Sequence, residues 1–202
     1  MFEKIQHIGY LTSDLDAAVG WFERSFGAKN SGGGTVRQSY PVPSGGRNAY
    51  VRFGQVEAEL IEPEDKQALS GAILAMHHVG YVVADIEQAA STLRGRGLKF
   101  AGDAPGTNVV GQQVFYLDST TTNGVMIHLT QLPSQPDNTG VGQGLEIEGI
   151  VHTGYLVPNL DEAVFWYVER FDGRQVGGGP TPTGGRAAFV NFGQVQVELI
   201  ET

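Results

Sequence analysis

A tetrad recurs three times in this chain, as His7-Ile8-Gly9-Tyr10, His78-Val79-Gly80-Tyr81 and His152-Thr153-Gly154-Tyr155. Each copy lies in a short run with the alternation of a strand, whose side chains point to opposite faces in turn. The same sorting applied to two later strands separates Val56, Ala58 and Leu60 from Glu57, Glu59 and Ile61, and Val125, Ile127 and Leu129 from Met126, His128 and Thr130. If the apolar sets pack on helices, two neighbouring units direct His7, Glu59, His78 and His128 into one concavity. Imidazoles and a carboxylate converging in a cup suit a divalent first-row metal such as Zn, Ni, Co, Mn or Fe. A single strand histidine is ordinarily a hydrogen-bonded structural residue. What singles these out is recurrence: the same His in three copies and the same Glu in two, Glu59 and Glu198.

Other residues offer less. His77 adjoins His78 but falls on the opposite face by alternation, which reads as a strand-entry residue or a support behind the ligands. On the opening strands Gly9 and Gly80 stand two residues after a histidine, where the missing side chain leaves room for an imidazole. Gly32-Gly33-Gly34 and Gly45-Gly46-Arg47 lack the lysine and spacing of a phosphate-binding loop and read as turns. Arg47 and Arg186 recur at equivalent positions, either to meet an anionic substrate group or as solvated turn residues. Trp21 and Phe22, repeated as Trp166 and Tyr167, read as helix core.

The elements that must position these groups repeat as well. After the first tetrad, Leu15, Ala18, Val19, Phe22 and Phe26 form one apolar face at helical period, and Gly27 is placed to end it. Asp14, Asp85 and Asn159 occupy the cap position in the three copies. Gln88 and Glu162 stand three residues after the last two, as in a capping box. Between Pro43–Glu62 and Pro182–Glu201, 14 of 20 positions are identical, so the repeat is a duplication. The second copy is more diverged and closes with an Asn123-Gly124 turn and a strand over Val125–Thr130.

The reading is a βαβββ unit at about 1–62, 76–131 and 149–202, of the α+β class. Residues 1–132 would be a two-module domain, 133–148 a linker whose Pro133–Gly144 stretch is rich in Pro, Ser, Asn and Gly, and 149–202 a third module. A single unit of this size leaves one sheet face uncovered and is marginal alone. The third module is therefore expected to find a partner, in another chain or in residues outside this sequence.

Composition bounds the function. The 202 residues include no cysteine, which excludes disulfide scaffolds, thiolate zinc sites and cysteine nucleophiles. A formal charge of −9 without any basic stripe argues against a nucleic-acid partner. No long apolar run and no signal-peptide pattern is present, so neither a membrane association nor export is expected, and the default location is the cytoplasm.

With these residues in view, the chain resembles the vicinal oxygen chelate superfamily, which includes glyoxalase I, methylmalonyl-CoA epimerase, extradiol dioxygenases and the fosfomycin and bleomycin resistance proteins. The resemblance rests on the His-x-Gly-Tyr strand, on Leu15-Asp16-Ala17-Ala18 and Leu160-Asp161-Glu162-Ala163 at helix starts, on Trp21-Phe22 followed by Phe26-Gly27, and on Glu59-Leu60-Ile61-Glu62-Pro63. Met76-His77-His78-Val79 and Ala58 to Pro63 look most similar to the epimerase branch.

The resemblance implies paired βαβββ modules forming a curved, mostly antiparallel eight-stranded sheet with helices outside. It implies His7, Glu59, His78 and His128 as metal ligands. In the epimerase and glyoxalase patterns the position of His128 is Glu. The swap leaves a bound divalent ion with net charge +1 and makes His128 a fourth ligand or a catalytic base; Tyr116 is a candidate for binding substrate.

The implied activity is that of a metal-dependent isomerase or lyase, working by enolisation of a small substrate chelated through adjacent oxygens. Two alternatives stand beside it. One is an Fe(II) extradiol-type dioxygenase using His7, His78 and Glu59; the other is a non-enzymatic ligand-binding protein of the resistance type. In the third module His152 and Glu198 occupy the positions of His7 and Glu59, so a homodimer formed through that module would assemble a second cup.

Overall fold

In the computed structural model, the residues described are 1–35, 45–65, 74–108, 111–122, 124–132, 147, 149–181 and 184–202. The linker expected over Pro133–Gly144 and the Asn123 half of the expected turn lie outside them. The first module runs β1 (Phe2–Thr12), α1 (Leu15–Phe26), β2 (Lys29–Thr35), β3 (Arg47–Phe53) and β4 (Val56–Glu62). The second runs β5 (Leu74–Val83), α2 (Ile86–Gly95), β6 (Gly106–Thr107), β7 (Gln113–Tyr116) and β8 (Ile127–Gln131). The third runs β9 (His152–Leu156), α3 (Leu160–Phe171), β10 (Arg174–Pro180), β11 (Arg186–Phe192) and β12 (Val195–Glu201). In the second module β8 starts at Ile127, two residues later than expected, because the Thr122 hydroxyl donates to the Val125 carbonyl and holds that residue in the preceding turn.

Each helix starts for the same physical reason. The side chains of Asp14, Asp85 and Asn159 accept from the backbone N–H groups of Ala17, Gln88 and Glu162, satisfying donors that have no partner inside the helix. A second device repeats beside it: Glu62, Gln131 and Glu201, from the closing strands, accept from the first helical N–H groups of Leu15, Ile86 and Leu160. Arg47 and Arg186 complete these clusters, pairing with Glu62 and Asp16 and with Glu201 and Asp161. Their partners are therefore carboxylates of the module's own helix start and closing strand, not a substrate group. Asp85→Ala is expected to cost about 1 kcal/mol and to lower the melting temperature by about 2–4 °C, measured by circular dichroism.

Modules one and two share a curved eight-stranded sheet in the order β2-β3-β4-β1-β5-β8-β7-β6. The join is the antiparallel pairing of β1 with β5, in which His7 faces Gly80, Ile8 faces Val79 and Gly9 faces His78. Within each module the opening and closing strands run parallel, β1 with β4 and β5 with β8, and the remaining pairs are antiparallel. On α1, Leu15, Ala18 and Phe22 pack against Ala49, Val51, Ala58 and Leu60. Trp21 is a correction to the sequence reading: it is 46% exposed and lies edge-on to Phe22 and Phe26 outside the core.

The third module forms its own four-stranded sheet, β10-β11-β12-β9. Its helix-side layer joins that of the second module in one apolar cluster, where Phe2 and Tyr81 meet Phe171 and Phe192. The contact with module one is reciprocal. The Gln194 N–H donates to the Phe2 carbonyl at 3.0 Å, and the Gln55 N–H donates to the Ile147 carbonyl at 2.7 Å. Gln55 and Gln194 are equivalent in the repeat, as are Phe2 and Ile147, each five residues before its module's tetrad histidine. The two modules are thus related by a pseudo-two-fold.

Candidate metal centre

The concave face of the large sheet is lined by the even-spaced polar residues of β1, β4, β5 and β8. Three imidazoles meet there, with the Glu59 carboxylate against two of them. His7 Nε2 lies 2.8 Å from His78 Nε2, 3.3 Å from His128 Nε2 and 3.4 Å from Glu59 Oε2, and His78 Nε2 lies 3.1 Å from Glu59 Oε2. All four residues are buried.

A neutral imidazole nitrogen has one in-plane position, a lone pair or an N–H, so His7 Nε2 can serve one linear hydrogen bond and not three. Several donors aimed at one centre is instead the arrangement of a coordination shell. With metal–nitrogen distances of about 2.0–2.1 Å, neighbouring ligand atoms in tetrahedral or octahedral shells stand roughly 2.9–3.4 Å apart, which is the spacing of this cluster. The residues fit a divalent ion. The nitrogens of His7, His78 and His128 all lie within 4.8 Å of one another, and Glu59 joins this group through His7 and His78.

The glycines of the tetrads explain how two strands can carry rings this close. A Cβ on Gly9 would lie 2.2 Å from His78 Nδ1, and one on Gly80 would lie 2.6 Å from His128 Cε1 and 3.3 Å from His7 Cε1. The room beside each glycine is filled by an imidazole from the other module or the closing strand, not by the histidine two residues before it.

Electrostatics keeps the donors in ligand form. Burial pushes Glu59 up, but hydrogen bonds from His7 and His78 outweigh it and hold the carboxyl well below the usual range. Burial lowers His78 in spite of Glu59, and burial with the neighbouring His7 and His78 takes His128 well below the ordinary imidazole value. Both rings are therefore neutral near pH 7, each with one N–H and one nitrogen lone pair.

Around this cluster stands a layer that alternation alone did not reveal. Asn48 Nδ2 donates to Glu59 Oε1 at 2.6 Å, leaving Oε2 for the centre. The Thr130 hydroxyl lies 3.0 Å from His128 Nδ1. His77 stands behind His78, one of the two roles read for it, but its face is corrected. A β-bulge between the Gly9–His78 and Tyr10–Met76 pairs breaks the alternation and turns the His77 ring toward the site, with its Nδ1 2.8 Å from His78 Nδ1. Burial, with His78 beside it, lowers His77 to about 3, so the ring is neutral and its contact with His78 couples the tautomers of the two rings. His7 differs: its Nδ1 is buried with no hydrogen-bond partner among the described residues. Asn48→Ala is expected to weaken divalent-metal affinity by about 10–100-fold, read by competition with a chromogenic chelator.

Tyr116 pairs with His128 across β7 and β8, and its ring centroid lies 4.9 Å from that imidazole, on the rim of the cup. Tyr50 lies opposite Glu59 on β3, its ring 5.7 Å from His7; burial and the Glu59 charge push its phenol well up, so it remains a neutral hydroxyl. His152 and Glu198 belong to the other sheet, where they pair at 3.5 Å and stay partly exposed. No helix among the described residues is long and apolar enough to cross a membrane.

Comparison with known proteins agrees with this architecture. Residues 6–116, more than half of the chain, match the family model of the glyoxalase/bleomycin resistance protein/dioxygenase superfamily. The mitochondrial methylmalonyl-CoA epimerase of Dictyostelium discoideum is 25% identical over 134 residues, covering 63% of this chain and 78% of that protein. Methylmalonyl-CoA epimerase from Mycobacterium tuberculosis superposes with a TM-score of 0.56 at 17% identity, over 64% of this chain and 88% of that one. A variant of the Streptomyces coelicolor methylmalonyl-CoA epimerase, in complex with 2-nitronate-propionyl-CoA, superposes with a TM-score of 0.56 at 21% identity, over 66% of this chain and all of that one. At these identities the structural likeness is one of fold.

Proposed function

Because the chain belongs to the glyoxalase/bleomycin resistance protein/dioxygenase superfamily, we propose that it is a divalent-metal-dependent isomerase. Residues 1–132 would form its catalytic domain, acting by enolisation of a small acyl compound. The observation that carries this reading is the convergence of three buried imidazoles, with the Glu59 carboxylate against two of them. His7, Glu59, His78 and His128 would hold the ion. When bound, a divalent ion supplies Lewis acidity to a carbonyl oxygen and so acidifies the adjacent C–H.

The rest is the work of side chains. A substrate entering the cup meets the Tyr116 ring and the neutral Tyr50 hydroxyl, which replace water along its flank. Of the groups available to take a proton, Glu59 is tied by Asn48, His7 and His78. His128 keeps its lone pair at Nε2 because it is neutral, while Thr130 steadies the ring at Nδ1. It is the group we assign to carry the proton from and back to the substrate's α-carbon. A substrate of the methylmalonyl-CoA kind, a thioester with a second carbonyl oxygen nearby, has the needed pair of oxygens and an acidic α-carbon; this choice rests on the curated relative.

The experiment is hydrogen exchange in D2O, followed by proton NMR, on protein stripped with EDTA and reconstituted with cobalt, nickel, zinc or manganese. Methylmalonyl-CoA and the hemithioacetal of glutathione with methylglyoxal serve as probes. The reading predicts loss of the α-proton signal only with metal present. Equal rates with and without metal, or no exchange on either probe with a full metal complement, would overturn it.

A further inference from the structure

The third module repeats the ligand-bearing half of the metal centre and leaves it open. His152 Nε2 and Glu198 Oε2 stand 3.5 Å apart, close to the 3.4 Å between His7 and Glu59. In both modules the histidine sits on the opening strand and the glutamate on the parallel closing strand beside it, with Glu198 opposite Gly154 as Glu59 is opposite Gly9. What differs is the next strand. β1 pairs on its far side with β5, whereas among the described residues β9 pairs with β12 alone and is the edge of its sheet. The glycine next to the histidine records the same difference. The space over Gly9 holds the His78 imidazole and that over Gly80 holds His128 and His7, but a Cβ on Gly154 would meet nothing closer than Glu198 Oε2 at 3.8 Å. This is a seat of the right shape, beside a ligand pair, without its imidazole.

We infer that a second copy of this chain fills that seat, joining through β9 across a two-fold axis to complete a second divalent-cation site from His152 and Glu198 of each chain. The register follows from the pairing of β1 with β5: His152 opposite Gly154 of the partner subunit, with the axis at Thr153, as Ile8 and Val79 mark the centre of the internal pair. A copy of the same strand suits the role because each histidine seats over the other chain's glycine, so both seats fill at once. The half-site is incomplete alone, since two donors, both partly exposed, cannot close a coordination shell.

The new site differs in charge and support from the first. Two imidazoles and two carboxylates neutralise a divalent ion, where the first set leaves net charge +1. Ala187 and Phe189 stand where Asn48 and Tyr50 flank Glu59. A neutral site lacking those polar flanks suits an ion that ties two chains together rather than one that activates a substrate.

Cobalt titration of the EDTA-stripped full chain, with mass by light scattering and metal by mass spectrometry, tests this. The expected result is a doubling of mass on metal addition and about 1.5 ions per chain, or about 0.5 if the first site takes none. His152→Ala should abolish metal-dependent dimerisation and remove about half an ion per chain. Gly154→Leu fills the seat without disturbing the monomer, since the space is open and the residue's φ lies outside the left-handed region. It should keep the protein folded and monomeric. A wild-type monomer at saturating cobalt, or a dimer whose assembly and metal content neither variant changes, overturns the inference.

Discussion

His78→Ala is expected to lower divalent-metal affinity by more than about 100-fold, the upper end of what loss of a supporting residue alone causes, and to take metal-dependent turnover below detection. His78 is buried and its Nε2 contacts both His7 and Glu59, so its removal breaks the cluster at its centre. Calorimetry separates a loss of ligand from a loss of fold. In the wild type, a metal held at about 100 times its dissociation constant adds about 2.7 kcal/mol, a rise of roughly 5–11 °C for a protein of this size. The variant should melt as a folded protein and show no such rise.

The second large effect is expected at a residue with no side chain. Gly9→Ala would place a Cβ 2.2 Å from the His78 ring on a buried strand, so the ring or the strand must shift. Overpacking of this kind costs about 1–3 kcal/mol. The ring gives way before the backbone, so metal affinity should fall by about 100-fold or more. The same substitution at Gly154 meets an atom only at 3.8 Å and should leave monomer stability within about 0.5 kcal/mol. Thermal melts and metal titrations of the two variants side by side check the contrast. Equal behaviour would mean that the glycines are there for their turn or strand geometry and not to seat imidazoles.

These expectations show which parts of the structure were legible in the amino-acid order. The helix starts were, because Asp14, Asp85 and Asn159 act on donors three residues away. So was the shared sheet face of His7, Glu59, His78 and His128, because alternation and the duplicated tetrad both refer to sheet faces, which strand pairing preserves. The face of His77 was not legible, since one bulged residue reverses the alternation from which it was read. Asn48 escaped notice for another reason: its role depends on the register of β3 against β4, which no local pattern at Asn48 announces. Arg47 and Arg186 were left between a substrate contact and a solvated turn residue, because the recurrent cation was weighed without the recurrent Glu62 and Glu201 that take it. The docking of the third module through Phe2 and Tyr81 depends on surfaces distant in the chain and lay beyond any such reading.

The central claim is that His7, Glu59, His78 and His128 surround one ion. Anomalous diffraction at the cobalt edge, on crystals of the reconstituted protein, tests it most directly. The account predicts a peak bonded to the three Nε2 atoms and to Glu59 Oε2. Absence of a peak there, with the four side chains still hydrogen-bonded to one another in cobalt-saturated crystals, would contradict it.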